Sequence, residues 1–183
     1  MPKPTPLPLE PPEAIKTTVK PYIPSLPTPK TSEVEFRKGF IPQEVIDAAK
    51  KSQITWNVPA SITIAQFILE SDWGTKNLGV YNFFGIKDLS WHPGYVTKRT
   101  KEYIHGQWVT VDQNFEDFDS IGDCFDIHGR LLAKSKYYVN VMQAAADADE
   151  FARRLTGIYA TDPNYGDKLI SLMKQRNLYQ YNS

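Results

Sequence analysis

Ten of the chain's 14 prolines fall within its first 30 positions, leaving four for everything that follows. Proline lacks a backbone donor and biases its predecessor away from helix, so Met1 to Lys30 can form neither a regular helix nor an interior strand. An extended arm is the expected result. Adding the polar stretch that runs to Gly39, the composition divides the chain into a proline-rich arm or linker, residues 1–39, and a single folded domain, residues 40–183.

The charges narrow the choice of partners. Twenty-one Lys and Arg balance 21 Asp and Glu, without a long run of either sign. The basic footprint that nucleic acid requires is missing, so none is expected as a partner. One cysteine, Cys124, forbids an internal disulfide, and no pair of histidines has ligand spacing, so neither metal nor cofactor is expected. His92 and His105 stand isolated, while His128, between Cys124 and Leu131 on an inward helical face, reads as a hydrogen-bonded core histidine. No stretch has the apolar length of a signal peptide near the start or of a membrane span elsewhere, so the expectation is a soluble chain without a secretion address.

The domain reads as several helices and one hairpin, an α+β class. Pro42 at a first helical position with Glu44 in the first turn predicts a helix to about Ser52. Val58-Pro59 leads into Ala60 to Glu70, whose apolar residues cover most of the circumference, so that helix should be buried on nearly all sides and stopped by Gly74. Trp73 to Trp91 reads as ordered loop. Residues 95–111 are rich in β-formers around His105-Gly106, a hairpin signal. Ser120 with Asp123 resembles a capping box before a helix through Leu132; further helices are expected over Asp147 to Thr156 and from Asp162-Pro163 to Asn177.

Chemistry concentrates where the buried helix ends, at Glu70. A carboxyl in an apolar pocket at a helix C-terminus has its charged form disfavoured by desolvation and by the helix dipole, which raises its pKa toward what a general acid needs. The bland alternative is a glutamate in solvent at a helix end.

Five pieces in order weigh against that alternative: Ala65-Gln66-Phe-Ile-Leu-Glu70-Ser-Asp-Trp73-Gly74; Asn82-Phe-Phe84-Gly-Ile-Lys87; the hairpin with its glutamate; Phe115 to Ser120; and Tyr159-Ala-Thr-Asp-Pro-Asn-Tyr165. Together they resemble the peptidoglycan N-acetylglucosaminidases of glycoside hydrolase family seventy-three, which include the flagellar rod-assembly hydrolase, autolysins and phage lysins. The resemblance covers roughly Phe40 to Asn177. It implies a lysozyme-like fold, a mainly helical body with a small β-hairpin lobe, and hydrolysis of the β-1,4 bond on the reducing side of N-acetylglucosamine in peptidoglycan. Glu70 matches the family's catalytic acid, Glu102 a second carboxylate proposed to activate water, and Tyr159 a tyrosine proposed to act near the acetamido group. Asp112, Glu116 and Asp117 compete with Glu102 for its role. Asn82, Phe84, Trp73, Tyr165 and Trp108 are the expected substrate contacts, through rings that stack on sugars and polar tips that reach them.

Two carboxylates permit inversion at a separation of roughly 6.5–9.5 Å and a covalent intermediate at roughly 5–5.5 Å, and an acetamido neighbour is a third route; the stereochemistry stays open. A muramidase cutting the other glycosidic bond is the nearest alternative, and a wall-binding or structural component without catalysis the next. A lytic transglycosylase is disfavoured, because Asn82 to Lys87 stands where those enzymes carry a Gly-Leu-Met-Gln type segment. Glycan strands of the cell wall are the expected partner. Lacking an address of its own, the chain would reach the wall through a permeabilising partner or on a particle such as a phage tail, held by the arm.

Overall fold

A computed structural model describes residues 34–92, 94–104 and 107–182, with backbone only for 101–104 and 108. Among them are six helices, α1 (Gln43–Trp56), α2 (Ala60–Ser71), α3 (Ile121–Lys134), α4 (Val139–Met142), α5 (Ala148–Leu155) and α6 (Tyr165–Gln175), and two strands, β1 (Tyr95–Ile104) and β2 (Gln107–Glu116). The class is α+β, as the patterning predicts. The proline-rich residues 1–33 and the His105-Gly106 turn lie outside the described residues.

Helix α2 is the axis of the body. Of its 12 residues 11 are buried, all but Leu69, which fits the apolar circumference read from the sequence. Phe67 meets Phe36, Phe83 and Phe125 with ring centroids 5.1–6.2 Å apart, and tilted or edge-on pairs of this kind add to burial. Helix α1 lies against α3 so closely that a Cβ on Gly129 would stand 2.2 Å from Ser52 Oγ. The hydroxyl of Ser52 donates to Phe125 O at 3.2 Å across that contact, and Trp56 Nε1 donates to Asp126 at 2.8 Å.

Several boundaries differ from the expectation, each for a local reason. Pro42 is the N-cap of α1, so the helix begins at Gln43, one residue later than predicted, and it runs on to Trp56, where Asn57 closes it in a left-handed conformation. Helix α2 ends at Ser71, before Gly74, because Asp72, Trp73 and Gly74 all have positive φ, 50°, 66° and 79°. Ser120 caps α3 as expected, accepting from Asp123 N at 3.0 Å. Helix α6 begins at Tyr165, after a turn in which Asp162 accepts from Asn164 N. The short 3₁₀ turn Lys136–Tyr138 and α4 carry no strong periodic signal and were not anticipated.

The strands pair antiparallel from Tyr95↔Glu116 to Ile104↔Gln107, so β2 continues five residues beyond the predicted end at Val111. They form a two-stranded sheet of their own, a lobe beside the helical body. Residues 34–39, joined to the arm as a polar stretch, lie on the domain: Val34 and Phe36 pack against the core, and Lys38 pairs with Asp72 at 3.3 Å. No helix among the described residues is long and apolar enough to cross a membrane.

Candidate active site

At the last full turn of α2, Glu70 is 7% exposed. The hydroxyl of Tyr165, on the first residue of α6, donates to Glu70 Oε1 at 2.8 Å, and Gln66, one turn before Glu70, donates its Nε2 to that same hydroxyl at 3.1 Å. The glutamate, the tyrosine and the glutamine form a buried relay that fixes the carboxyl's direction. Such a chain in low dielectric is stiff, since each member polarises the next. Gln66 was not among the sequence candidates, although a lone amide in an apolar helix, four residues before a carboxylate, is a signal for it.

Tyr159 stacks on Tyr165 with ring centroids 5.6 Å apart and planes 19° from parallel. Burial pushes the hydroxyls of both tyrosines well above their ordinary range, and the negative charge of Glu70 pushes them further. Both remain protonated at neutral pH, which suits a hydrogen-bond donor and not a phenolate. Glu70, Tyr159 and Tyr165, far apart in sequence, thus meet at one place.

Glu102 lies on β1 opposite Val109, and Trp108 on β2 opposite Tyr103; both sit near the tip end of the hairpin. The three other acids weighed for the role of Glu102 are all engaged. Asp112 is exposed and receives Arg99 Nε at 3.1 Å, Asp117 accepts from Val80 N at 3.0 Å, and Glu116 is fully buried beside His92.

The remaining predicted contacts are buried. Asn82, 1% exposed, directs its amide inward, donating to Ile86 O at 2.8 Å and Glu116 O at 2.9 Å and accepting from Ile86 N at 3.0 Å, so its tip pins backbone. Phe84, 1% exposed, stacks on His128 at 3.9 Å. Trp73 is 6% exposed, with the Arg176 guanidinium 4.7 Å from its ring. The hydroxyl of Tyr165 is taken up by Glu70 and Gln66. Phe84, Trp73 and Tyr165 belong to the hydrophobic core, and Asn82 is held there by its three hydrogen bonds.

His128 is buried as expected, but neither ring nitrogen has a hydrogen-bond partner among the described residues. Burial pushes it down to about 3. Between the ordinary value of 6.5 and that lowered one, the unfolded chain takes up a proton that the folded one refuses. Stability is therefore expected to fall as pH drops through this window, by on the order of 4 kcal/mol in total. His128→Leu should flatten that slope in chemical unfolding measured from pH 7 to pH 4. An identical slope in the variant would show that other groups cause it.

Among the described residues no group of three His, Cys, Asp or Glu is arranged to hold a metal. The constellation brought together is one carboxyl, two phenols and an amide.

Comparison with known proteins points the same way. A family model described as mannosyl-glycoprotein endo-beta-N-acetylglucosaminidase matches residues 46–178. A probable N-acetylmuramidase of Lactococcus lactis subsp. lactis (strain IL1403) is 38% identical over 130 residues, which are 66% of this chain and 29% of that protein. Exo-glucosaminidase LytG of Bacillus subtilis (strain 168) is 31% identical over 159 residues, 83% of this chain and 56% of LytG. The chain thus spans less than a third of the first relative and little more than half of the second. A crystal structure of a peptidoglycan hydrolase mutant from Sphingomonas sp. A1, 34% identical, superposes with a TM-score of 0.64 over 76% of this chain and 94% of that one.

Proposed function

The chain belongs to the endo-β-N-acetylglucosaminidase family, glycoside hydrolase family seventy-three, and from that premise we propose that it hydrolyses peptidoglycan at the β-1,4 bond between N-acetylglucosamine and N-acetylmuramic acid. The observation that carries the reading is the bond from Tyr165 to Glu70 at the end of a buried helix. A carboxyl so placed is shielded from water and aimed, as a proton donor to a leaving oxygen must be. Glu70 is the proposed general acid. Glu102, carried on the hairpin lobe, is the proposed second carboxylate, holding a water or attacking directly. Tyr159, kept protonated beside Glu70, is the proposed donor to the acetamido group of the sugar.

The names of the relatives divide between the two glycosidic bonds, since one is a probable N-acetylmuramidase and the other an exo-glucosaminidase. The choice is settled by the reducing end. Purified peptidoglycan digested by the chain, reduced and examined by mass spectrometry, is expected to give fragments ending in reduced N-acetylglucosamine. Fragments ending in reduced N-acetylmuramic acid would replace this reading with the muramidase one.

Of the arm read as residues 1–39, the proline-rich part, residues 1–30, is the proposed attachment to a protein partner or a larger particle such as a phage tail, a reading supported by its proline content and tested by co-sedimentation of the chain with that particle.

A further inference from the structure

The root of the hairpin contains a buried carboxylate that the chemistry above does not use. Glu116, the last residue of β2, is fully buried. It accepts from the backbone N–H of Leu89, and its Oε2 lies 2.6 Å from His92 Nδ1. The other ring nitrogen of His92 lies 3.5 Å from Asp123 Oδ2 in the first turn of α3. The sequence showed His92 as isolated; the fold gives it a carboxylate on each side. One end of this chain is the hairpin and the other is the helical body.

Among the described residues, the other polar contacts at the root of the lobe are mostly made to backbone. Its strands pair with each other, and a lone two-stranded hairpin is marginal in water. At the root, Asp88 N donates to Asn114 O, Glu116 N to Ile86 O and Asp117 N to Gly94 O at 3.0–3.3 Å, and the Asn82 amide holds Glu116 O. These backbone contacts fix where β2 ends. The side chains of Glu116, His92 and Asp123 are what tie that end across to α3.

We propose that His92 and Glu116 are positioning residues that set the angle of the hairpin lobe against the helical body, and with it the place of Glu102 relative to Glu70. The part concerning Glu102 rests on the proposed function; the part concerning the lobe does not. A carboxylate without solvent must keep its partners, because one left alone in the interior is strongly unfavourable. Burial pushes the Glu116 carboxyl up, and the Leu89 N–H and then the imidazole pull it back. The other charges near this chain are Asp88, which acts on Glu116, and Arg130, whose guanidinium lies 4.2 Å from the ring of neighbouring Trp91. Phe118 packs against the imidazole at 5.4 Å. Phenylalanine at position 92 therefore keeps the ring contact and removes both polar ones.

The test compares the full-length chain with His92→Phe and His92→Gln. In His92→Phe, amide hydrogen exchange across residues 95–116 is expected to rise at least about tenfold while that of α1, α2 and α3 stays unchanged. On soluble peptidoglycan fragments kcat is expected to fall about tenfold with KM nearly constant, because misplacing a reacting group acts on the transition state. Glutamine, which can still donate to Glu116, should restore part of both. Unchanged exchange in the strands overturns the proposal, as does an equal rise in the helices, which would mean ordinary loss of stability. Exchange confined to the hairpin without activity on peptidoglycan in any form of the chain would leave the positioning role standing and remove the proposed substrate.

Discussion

Glu70→Gln is expected to lower the rate of peptidoglycan hydrolysis by roughly 10³-fold, the scale on which a positioned acid acts, and to leave the fold intact. The substitution keeps the shape of the side chain and an oxygen to accept the Tyr165 hydroxyl, whose bond to Glu70 is 2.8 Å long. What it removes is the transferable proton. Glu70→Ala differs in a useful way: it also leaves the buried Tyr165 hydroxyl without that acceptor, which costs about 1–3 kcal/mol. Turbidity loss of purified cell walls measures the activity, and thermal unfolding the stability. A glutamine variant retaining a tenth or more of the activity would remove Glu70 from the role of acid, whatever the family.

The second large effect is on stability. Phe67→Ala removes a fully buried ring at the meeting of Phe36, Phe83 and Phe125. Truncating a buried phenylalanine costs about 3–5 kcal/mol, because the lost burial is joined by a cavity that the surroundings only partly fill. For a domain of this size each kcal/mol lowers Tm by about 2–4 °C, so a drop on the order of 10 °C is expected in calorimetry. A drop within 2 °C would show that the cluster collapses freely around the gap. Activity measured well below the transition should survive, since the hydrogen bonds of the relay run through Gln66, Tyr165 and Glu70 and not through this ring.

The part of this molecule that depends on local pattern was legible in the chain. Helix α2 is apolar around its circumference and turned out to be buried all round, and Ser120 caps α3 as its spacing with Asp123 suggests. Glu70 could be singled out because it ends that helix. Partners that come from afar were not legible. Tyr165 lies 95 positions from Glu70, and nothing in its own neighbourhood says whether its hydroxyl meets a sugar or a carboxyl. Asn82, Phe84 and Trp73 read as substrate contacts on chemical type, but exposure is a property of the assembled fold, and all three are buried in it. Glu116 and His92 escaped for the same reason: a charge beside an imidazole has meaning only once the root of the hairpin closes around it.

Phe36 has a bearing on how such a domain travels between proteins. Its ring lies 5.2 Å from that of Phe83 and beneath Gly74, where a Cβ would stand 2.3 Å from it. Gene fusions drawn at residue 40, where the sequence reading starts the domain, would carry the hydrolase to a new host without the aromatic ring that packs at the turn following Glu70. A recombination point at or before Val34 keeps the ring. The portable module, in evolution or in engineering, is therefore longer than its compositional outline, and the stretch that looks like its leash is partly its keel.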